Sequence, residues 1–284
     1  MTADPSPGTS SLDPDVLDRL NRLSLSRSFT PEIDIDWEAT TTDEEYAALY
    51  PAWSLLEGTG FDAPLDSAGR ITFAKYQQIN LMLFTGLLER HGIGSLARLY
   101  DVDPAQPFSE YVGHFIKEEI YHYTMFQRAV RKIAATIPGD RLLPTRRLDF
   151  LLRWLFRGIG VLPGRKLRLS LTFTFFQFAE QITIYANQMV RVTLPREKSL
   201  VAQIWAYHAM DESRHLAFDS MILEHSRLPW PLGWLPRVLA LPCCALLSLS
   251  LNANEIWIAR QLGLAVRLRH LPRLVRTTRA PFKR

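Results

Sequence analysis

Cysteine is almost missing from this 284-residue sequence: Cys243 and Cys244 are the two it has, and they adjoin. Adjacent thiols make neither a C-x-x-C redox or zinc motif nor the framework of a disulfide-stapled domain. A reducing, cytoplasmic setting fits. The N-terminus, Met-Thr-Ala-Asp-Pro-Ser-Pro-Gly, lacks a basic region leading into an apolar one, so no signal peptide is expected. Strand-type alternation, a glycine-rich phosphate loop and a long-period repeat are also wanting, which argues against nucleotide-binding and solenoid classes. Acids run out at Glu255, after which eight Lys or Arg follow, and Arg141–Arg168 holds eight bases with Asp149 as its one acid. Residues 1–69 are the reverse, with 14 acids and three bases. Such basic blocks can meet anionic lipid or an acidic redox partner, or be plain solvated faces. No nucleic-acid motif accompanies them, so no nucleic-acid partner is expected.

What is present is helical periodicity, in a chain whose 47% hydrophobic content is ample for a sizeable core. A short helix is expected from Thr42 as N-cap, with Glu44 and Glu45 in its first turn. Long helices are expected over Ile71–Leu99, interrupted near Gly92 and Gly94, and over Phe108–Thr136, stopping at Pro138-Gly139. Arg147–Ile159 reads as a short amphipathic helix with Phe150, Leu151, Trp154 and Leu155 on its apolar side. Leu169–Val190, Arg196–Glu224 and Val238–Arg267 complete the set. The expected fold is all-α. Its organisation would be an acidic arm over 1–66, disordered in residues 1–12, a helical bundle over 67–270 and a basic tail over 271–284.

Two segments approach the length of a membrane span. Val238–Asn254 is uncharged but contains Pro242, Ser248 and Asn252; Leu169–Val190 has Glu180 as its one charge. Core burial is expected for both, since intramembrane carboxylates are rare. Peripheral membrane contact through the basic tail stays open.

The chemistry concentrates in His208-Ala-Met-Asp-Glu-Ser-Arg-His215, a His-x-x-x-Glu-x-x-His pattern. Offsets of four and seven put His208, Glu212 and His215 within a sector of about 60° on a helix. That sector continues the apolar line of Val201, Ile204 and Ile222, so the ligand-type side chains face the core. Buried charge needs a partner, and a metal ion suits these atoms. Glu119-Ile-Tyr-His122 repeats Glu-x-x-His on the earlier helix. Glu180, among Phe173, Phe175, Phe176 and Phe178, is either a further ligand or a neutral acid hydrogen-bonded to Gln177 or Tyr185. Glu89, the one acid of Ile71–Leu99, is a ligand or part of a solvated helix end beside Arg90. Each motif opens with an acidic doublet, Glu118-Glu119 and Asp211-Glu212, whose first member orients a ligand imidazole or is merely solvated.

One Glu, a Glu-x-x-His, another Glu and a second Glu-x-x-His, each on its own helix, form the two-metal arrangement of ferritin-like four-helix bundles. Here additional N- and C-terminal helices would flank the bundle. Four carboxylates balance two divalent ions, and ligation by Glu and His without thiolate suits iron or manganese.

On these residues the sequence resembles the di-iron N-oxygenases related to p-aminobenzoate N-oxygenase. The likeness spans roughly residues 70–225. It is marked in the extra His208 four residues before Glu212 and in the Asp-Glu-x-Arg-His wording of Asp211–His215. The resemblance implies seven ligands: Glu89, Glu119, His122, Glu180, His208, Glu212 and His215. It further implies two iron ions, manganese being allowed in one position, with O2 as co-substrate and an external electron donor of reductase or ferredoxin type. The reaction implied is oxidation of a small, aromatic or apolar substrate, foremost N-oxygenation of an amine. Tyr121, Tyr185 and Tyr207 are candidate pocket residues. The rival readings are a di-iron hydroxylase or desaturase of a lipid-like substrate, a ferritin-like iron-storage or peroxide-scavenging protein, and a metal-free helical protein of the membrane surface. A homodimer is compatible with all of them.

Overall fold

The computed structural model describes residues 13–267 except 28, 55, 57–58, 103–107, 140–142, 195–197 and 230–231. The expected disorder of residues 1–12 and the basic tail lie outside the described residues. Among the described residues there is no strand, and the elements are α1 (Pro14–Ser26), α2 (Pro31–Asp34), α3 (Asp43–Trp53), α4 (Ser67–Val102), α5 (Ser109–Ala134), α6 (Arg146–Val161), α7 (Arg165–Thr193), α8 (Leu200–His225) and α9 (Leu235–Gln261). Four of the five long helices, α4, α5, α7 and α8, form the ferritin-like bundle. Helix α4 pairs with α5 and α7 with α8, and contacts of α5 with α8 and α4 with α7 close the box.

Local chemistry explains the boundaries. Thr42 caps α3 in a capping box: its hydroxyl accepts from the Glu45 amide, and the Glu45 carboxylate accepts from the Thr42 amide. Ser199 caps α8 by accepting from the Ala202 amide. Pro236 opens α9 where its missing N–H costs nothing, and Gly263, at φ +80°, follows its end.

The expected interruption at Gly92 and Gly94 does not occur, and α4 runs unbroken through both. Gly92 answers a packing need instead. A Cβ there would lie 3.2 Å from Cε1 of Phe176 on α7, so the glycine lets the two helices approach. The expected apolar side of α6 is also corrected. Leu148, Leu152, Phe156 and Ile159 face the core, whereas Phe150 and Trp154 are 64% and 72% exposed. Periodicity shows which residues are apolar, not which of two apolar faces finds a neighbour.

Two hydrophobic clusters fill the bundle. One holds Phe73, Phe126, Ile204 and Trp205, and takes Phe29, Trp37, Tyr46, Leu49 and Tyr50 from the N-terminal segment. The other holds Tyr111, Phe115, Phe173, Phe176, Phe218 and Ile222. Along α5, residues 118–122 fall between Phe115 of one cluster and Phe126 of the other; along α8, residues 208–215 fall between Trp205 and Phe218. A polar layer is thus sandwiched between two apolar ones. Helix α9 is buried only in part, with Ala240 and Leu247 covered in its earlier turns. Its later turns bury Ile256, Ile258 and Ala259, but Val238, Leu239, Leu241, Leu246 and Leu249 are exposed, contrary to the core burial expected of Val238–Asn254.

Candidate metal centre

Helix geometry brings the predicted residues into that layer. On α5, Glu118 and His122 are four apart and Glu119 and His122 three apart; on α8, His208, Glu212 and His215 follow at four and seven. One potential ligand atom each from Glu89, His122, His208 and Glu212, all buried, lie within 4.8 Å of one another. A second such group joins Glu119, Glu212 and His215, so Glu212 belongs to both. His208 Nε2 is 2.7 Å from Glu89 and 3.0 Å from Glu212, and His215 Nδ1 is 3.2 Å from Glu119. Glu89 is therefore part of the interior cluster and not a solvated helix end. Glu180 stands outside both groups but lines the same small cavity as Glu89, Glu119 and Glu212. Gln177, one of its two partners in the neutral-acid reading, instead donates to Ser220.

The acidic doublets pair crosswise. His122 Nε2 is 3.0 Å from Asp211, and His215 Nε2 is 2.9 Å from Glu118, so each helix steadies the other's imidazole. Arg214 donates to both Glu118, at 2.7 Å, and Asp211. With Nε2–H donating outward, Nδ1 of each histidine faces the cluster and, once deprotonated, offers its lone pair to an ion. Neither His122 Nδ1 nor His215 Nδ1 has a hydrogen bond, nor do Glu89 Oε2, Glu180 Oε2 or Glu212 Oε2. Buried polar atoms of this kind are rarely left unpaired in a stable fold. Orphaned carboxylate oxygens and imidazole nitrogens are the donor set that fits divalent iron or manganese.

Sequence reasoning missed Asp219, Arg214 and Tyr111. Asp219 is fully buried, lies on α8 four residues after His215, and sets its carboxyl against that of Glu180. That spacing was readable, because it extends the line of Glu212 and His215 by one turn. The Tyr111 hydroxyl is also buried without a partner. The walls are phenylalanine: Phe115 stacks on His215 with ring centroids 3.7 Å apart, and Phe115, Phe175 and Phe176 line the cavity. Tyr121, Tyr185 and Tyr207 are not among its lining residues, and Tyr207 stacks on Phe29 instead.

Electrostatics show what the layer needs. Burial, then repulsion from Glu119 and Glu212, pushes the Glu89 carboxyl well above its ordinary value. Burial and the neighbouring Asp219 do the same to Glu180, and burial does so to Asp219. Burial opposes the charged form of Glu118 too, but His215 and Arg214 outweigh it and hold the carboxyl down at about 2. Glu212 is likewise lowered against burial by His208 and His215. For His215, burial disfavours the cation, yet the carboxylates of Glu118, Glu119 and Glu212 raise its pKa well above the usual imidazole range.

A pH dependence follows. Glu89, Glu180, Asp219 and His215 are all raised in the folded state, so each contributes stability that is complete below its unfolded pKa and lost as pH climbs through the folded one. Glu118 and Glu212 are lowered, so their contribution is present above the ordinary carboxylate range and lost only in acid. Between about pH 6 and 9 the first set decides the sign, and metal-free protein is expected to melt at lower temperature as pH rises. Metal ligands bind deprotonated. The gain in Tm on adding Fe(II) or Mn(II) anaerobically should therefore grow over the same window; a gain that shrinks would contradict this electrostatic picture.

Comparison with known proteins gives the layer its context. Uncharacterized proteins of Mycobacterium bovis and Mycobacterium tuberculosis are 27% identical to the chain over 225 residues, covering 76% of it and 61% of their own length. The chain thus spans about three fifths of the curated relatives it matches. No solved structure matches it significantly. Residues 11–255, which carry every helix that feeds the polar layer, match the family model described as P-aminobenzoate N-oxygenase AurF. The chain belongs to the p-aminobenzoate N-oxygenase AurF family.

Proposed function

We propose that the chain is a non-haem di-iron oxygenase that uses O2 to oxidise a small amine at nitrogen, with Glu89, Glu119, His122, Glu180, His208, Glu212 and His215 as its metal ligands. The observation that carries this reading is the buried Glu/His layer with its orphaned ligand atoms, in a chain of this family. Two ferrous ions held there, reduced by an external donor, would supply the electrons for oxygen activation; manganese in one position is compatible with the same atoms.

The chain's own residues do the rest. Glu118 and Asp211 fix the Nε2 protons of His215 and His122, which sets both rings for ligation through Nδ1. Phe115, Phe175, Phe176, Leu88 and Leu96 line the cavity around the carboxylates with apolar surface, which disfavours bulk water there. The cavity holds about 30 Å³, room for O2 or a water or two. A ring-sized substrate therefore needs the Phe176 wall to move.

Gly92 sets how far that wall can move. Gly92→Ala places a methyl 3.2 Å from Phe176, and one carbon in an apolar pocket is worth about tenfold or more in discrimination. The variant is expected to raise KM for a ring-bearing amine by about that factor. Its stability should change little, since a helix-propensity gain of ~1 kcal/mol offsets the contact. An unchanged KM would remove Phe176 from the substrate's path.

The activity is tested by giving reduced, iron-loaded protein and O2 to arylamines and, separately, to long-chain alcohols and acyl chains. Hydroxylamine or nitro products from the amines support the reading. Oxidation of the chains alone would favour the hydroxylase or desaturase alternative. That second reading has one observation behind it: an apolar groove between α6 and α9 shares Phe175 with the metal cavity.

A further inference from the structure

Helices α6 and α9 lie side by side on the outside of the bundle. Two grooves run between them. One, of about 260 Å³, is flanked by Trp154 and Leu239, and the other, of about 640 Å³, by Arg147, Leu246 and Leu249. The rims are exposed and apolar: Trp154 is 72% exposed, and Phe150, Leu239, Leu246 and Leu249 between 41% and 64%. Large apolar side chains left exposed together on two neighbouring helices mark an interaction site. Arg147, Arg157 and Arg237 stand exposed on the same two helices. Asp149, the one acid of α6, is engaged by His91 at 2.9 Å and Arg153 at 2.8 Å, and α9 has no acid before Glu255.

We propose that the α6–α9 face docks on an anionic lipid bilayer, with Trp154, Phe150 and Leu239 in the headgroup–acyl boundary and the arginines on lipid phosphates. An apolar face carrying Trp and Phe among Arg, with no free acid among the described residues of α6 and of α9 before Glu255, is the composition of an interfacial helix. The charge also selects the occupant. A second copy meeting this face would add its own Arg147, Arg157 and Arg237 to the patch and, with Asp149 already engaged, bring no free acid of α6 or α9 to meet them.

The face lies in the interface and does not cross the membrane. Leu232–Gln261 is long and apolar enough to span by composition, with 17% of its most apolar window buried. Its far end is nonetheless fastened to α4. Asn254 Nδ2 donates to Asn80, Asn80 Nδ2 donates to the Leu251 carbonyl, and Gln77 Nε2 donates to Glu255. The stretch before those bonds, Leu235–Leu249, is about 22 Å of helix, short of the ~30 Å hydrocarbon core, and it buries Ala240 and Leu247 against the bundle.

The test is co-sedimentation of the full, metal-loaded chain with vesicles of phosphatidylcholine alone and of phosphatidylcholine with about one-third phosphatidylglycerol. Expected is binding to the anionic vesicles that weakens with salt, and at least a tenfold loss of affinity in the doubly substituted Trp154→Asp, Leu239→Asp variant. Both positions are exposed, so the variant's metal content and melting temperature should match the parent's, which separates this outcome from failure of the metal site. Equal binding by parent and double variant, or no binding to either vesicle, overturns the proposal. So does a concentration-dependent dimer that the two substitutions abolish, which would assign the face to a second copy. Membrane association released only by detergent overturns it in favour of a spanning α9.

Discussion

Glu212→Ala is expected to empty the metal layer. Glu212 is the one residue in both groups of converging ligand atoms, and His208 and His215 each approach it, at 3.0 Å and 3.7 Å. Losing a single orienting neighbour of a metal ligand already costs about 10–100-fold in affinity, so losing a carboxylate shared by both positions should exceed the upper end of that range. Bound metal should fall from about two ions per chain to less than one, and O2-dependent turnover to background. The protein itself should still fold, because the substitution also removes a buried charge from a layer crowded with them. Metal content by elemental analysis, alongside a melting curve, checks both halves. A variant that keeps two ions and its turnover would take Glu212 out of the centre.

Arg214→Ala should be the most destabilising single change in the layer. Its guanidinium is 7% exposed and bridges the carboxylates of Glu118 and Asp211, which are themselves buried. Removing one partner of a buried charge pair typically costs about 3–5 kcal/mol, because the remaining charges are left uncompensated. For a chain of this size that corresponds to roughly 10 °C in Tm. The same change should weaken metal binding about 10–100-fold, since Glu118 and Asp211 hold the imidazoles of His215 and His122. Glu118→Gln separates the two effects. It keeps the shape, removes one acid and should weaken the metal more than the fold. An Arg214→Ala protein with an unchanged Tm would contradict the bridging role.

Much of the centre was legible in the sequence because its information is local. Residues three, four and seven apart on a helix share a face whatever the helix packs against, so the two Glu-x-x-His motifs and His208 announced themselves. Glu180 was legible for a different reason: a lone charge amid phenylalanines needs a partner. The acidic doublets could be suspected of steadying imidazoles, but the crosswise pairing of Glu118 with His215 and Asp211 with His122 depends on how α5 meets α8. Arg214 stands in the Asp-Glu-x-Arg-His wording that carries the likeness, but its bridging role depends on where α5 brings Glu118. Asp219 was readable at one turn past His215 and was overlooked.

The fold shows the same division. Helix periods and caps, such as Thr42 with Glu45, are written in neighbouring residues. Gly92 looked like a helix end because the ring that requires it, Phe176, is 84 residues away. Helices α6 and α9 are apolar on more than one side, and composition alone did not tell which side the bundle would cover.

Anaerobic ferrous titration of the full chain, counting ions bound per chain, is the most direct measurement of whether these helices hold a paired metal site. Saturation at about two ions, with both lost together in Glu212→Ala, is the predicted result. Saturation at one or none, or two ions that survive that substitution, would contradict it.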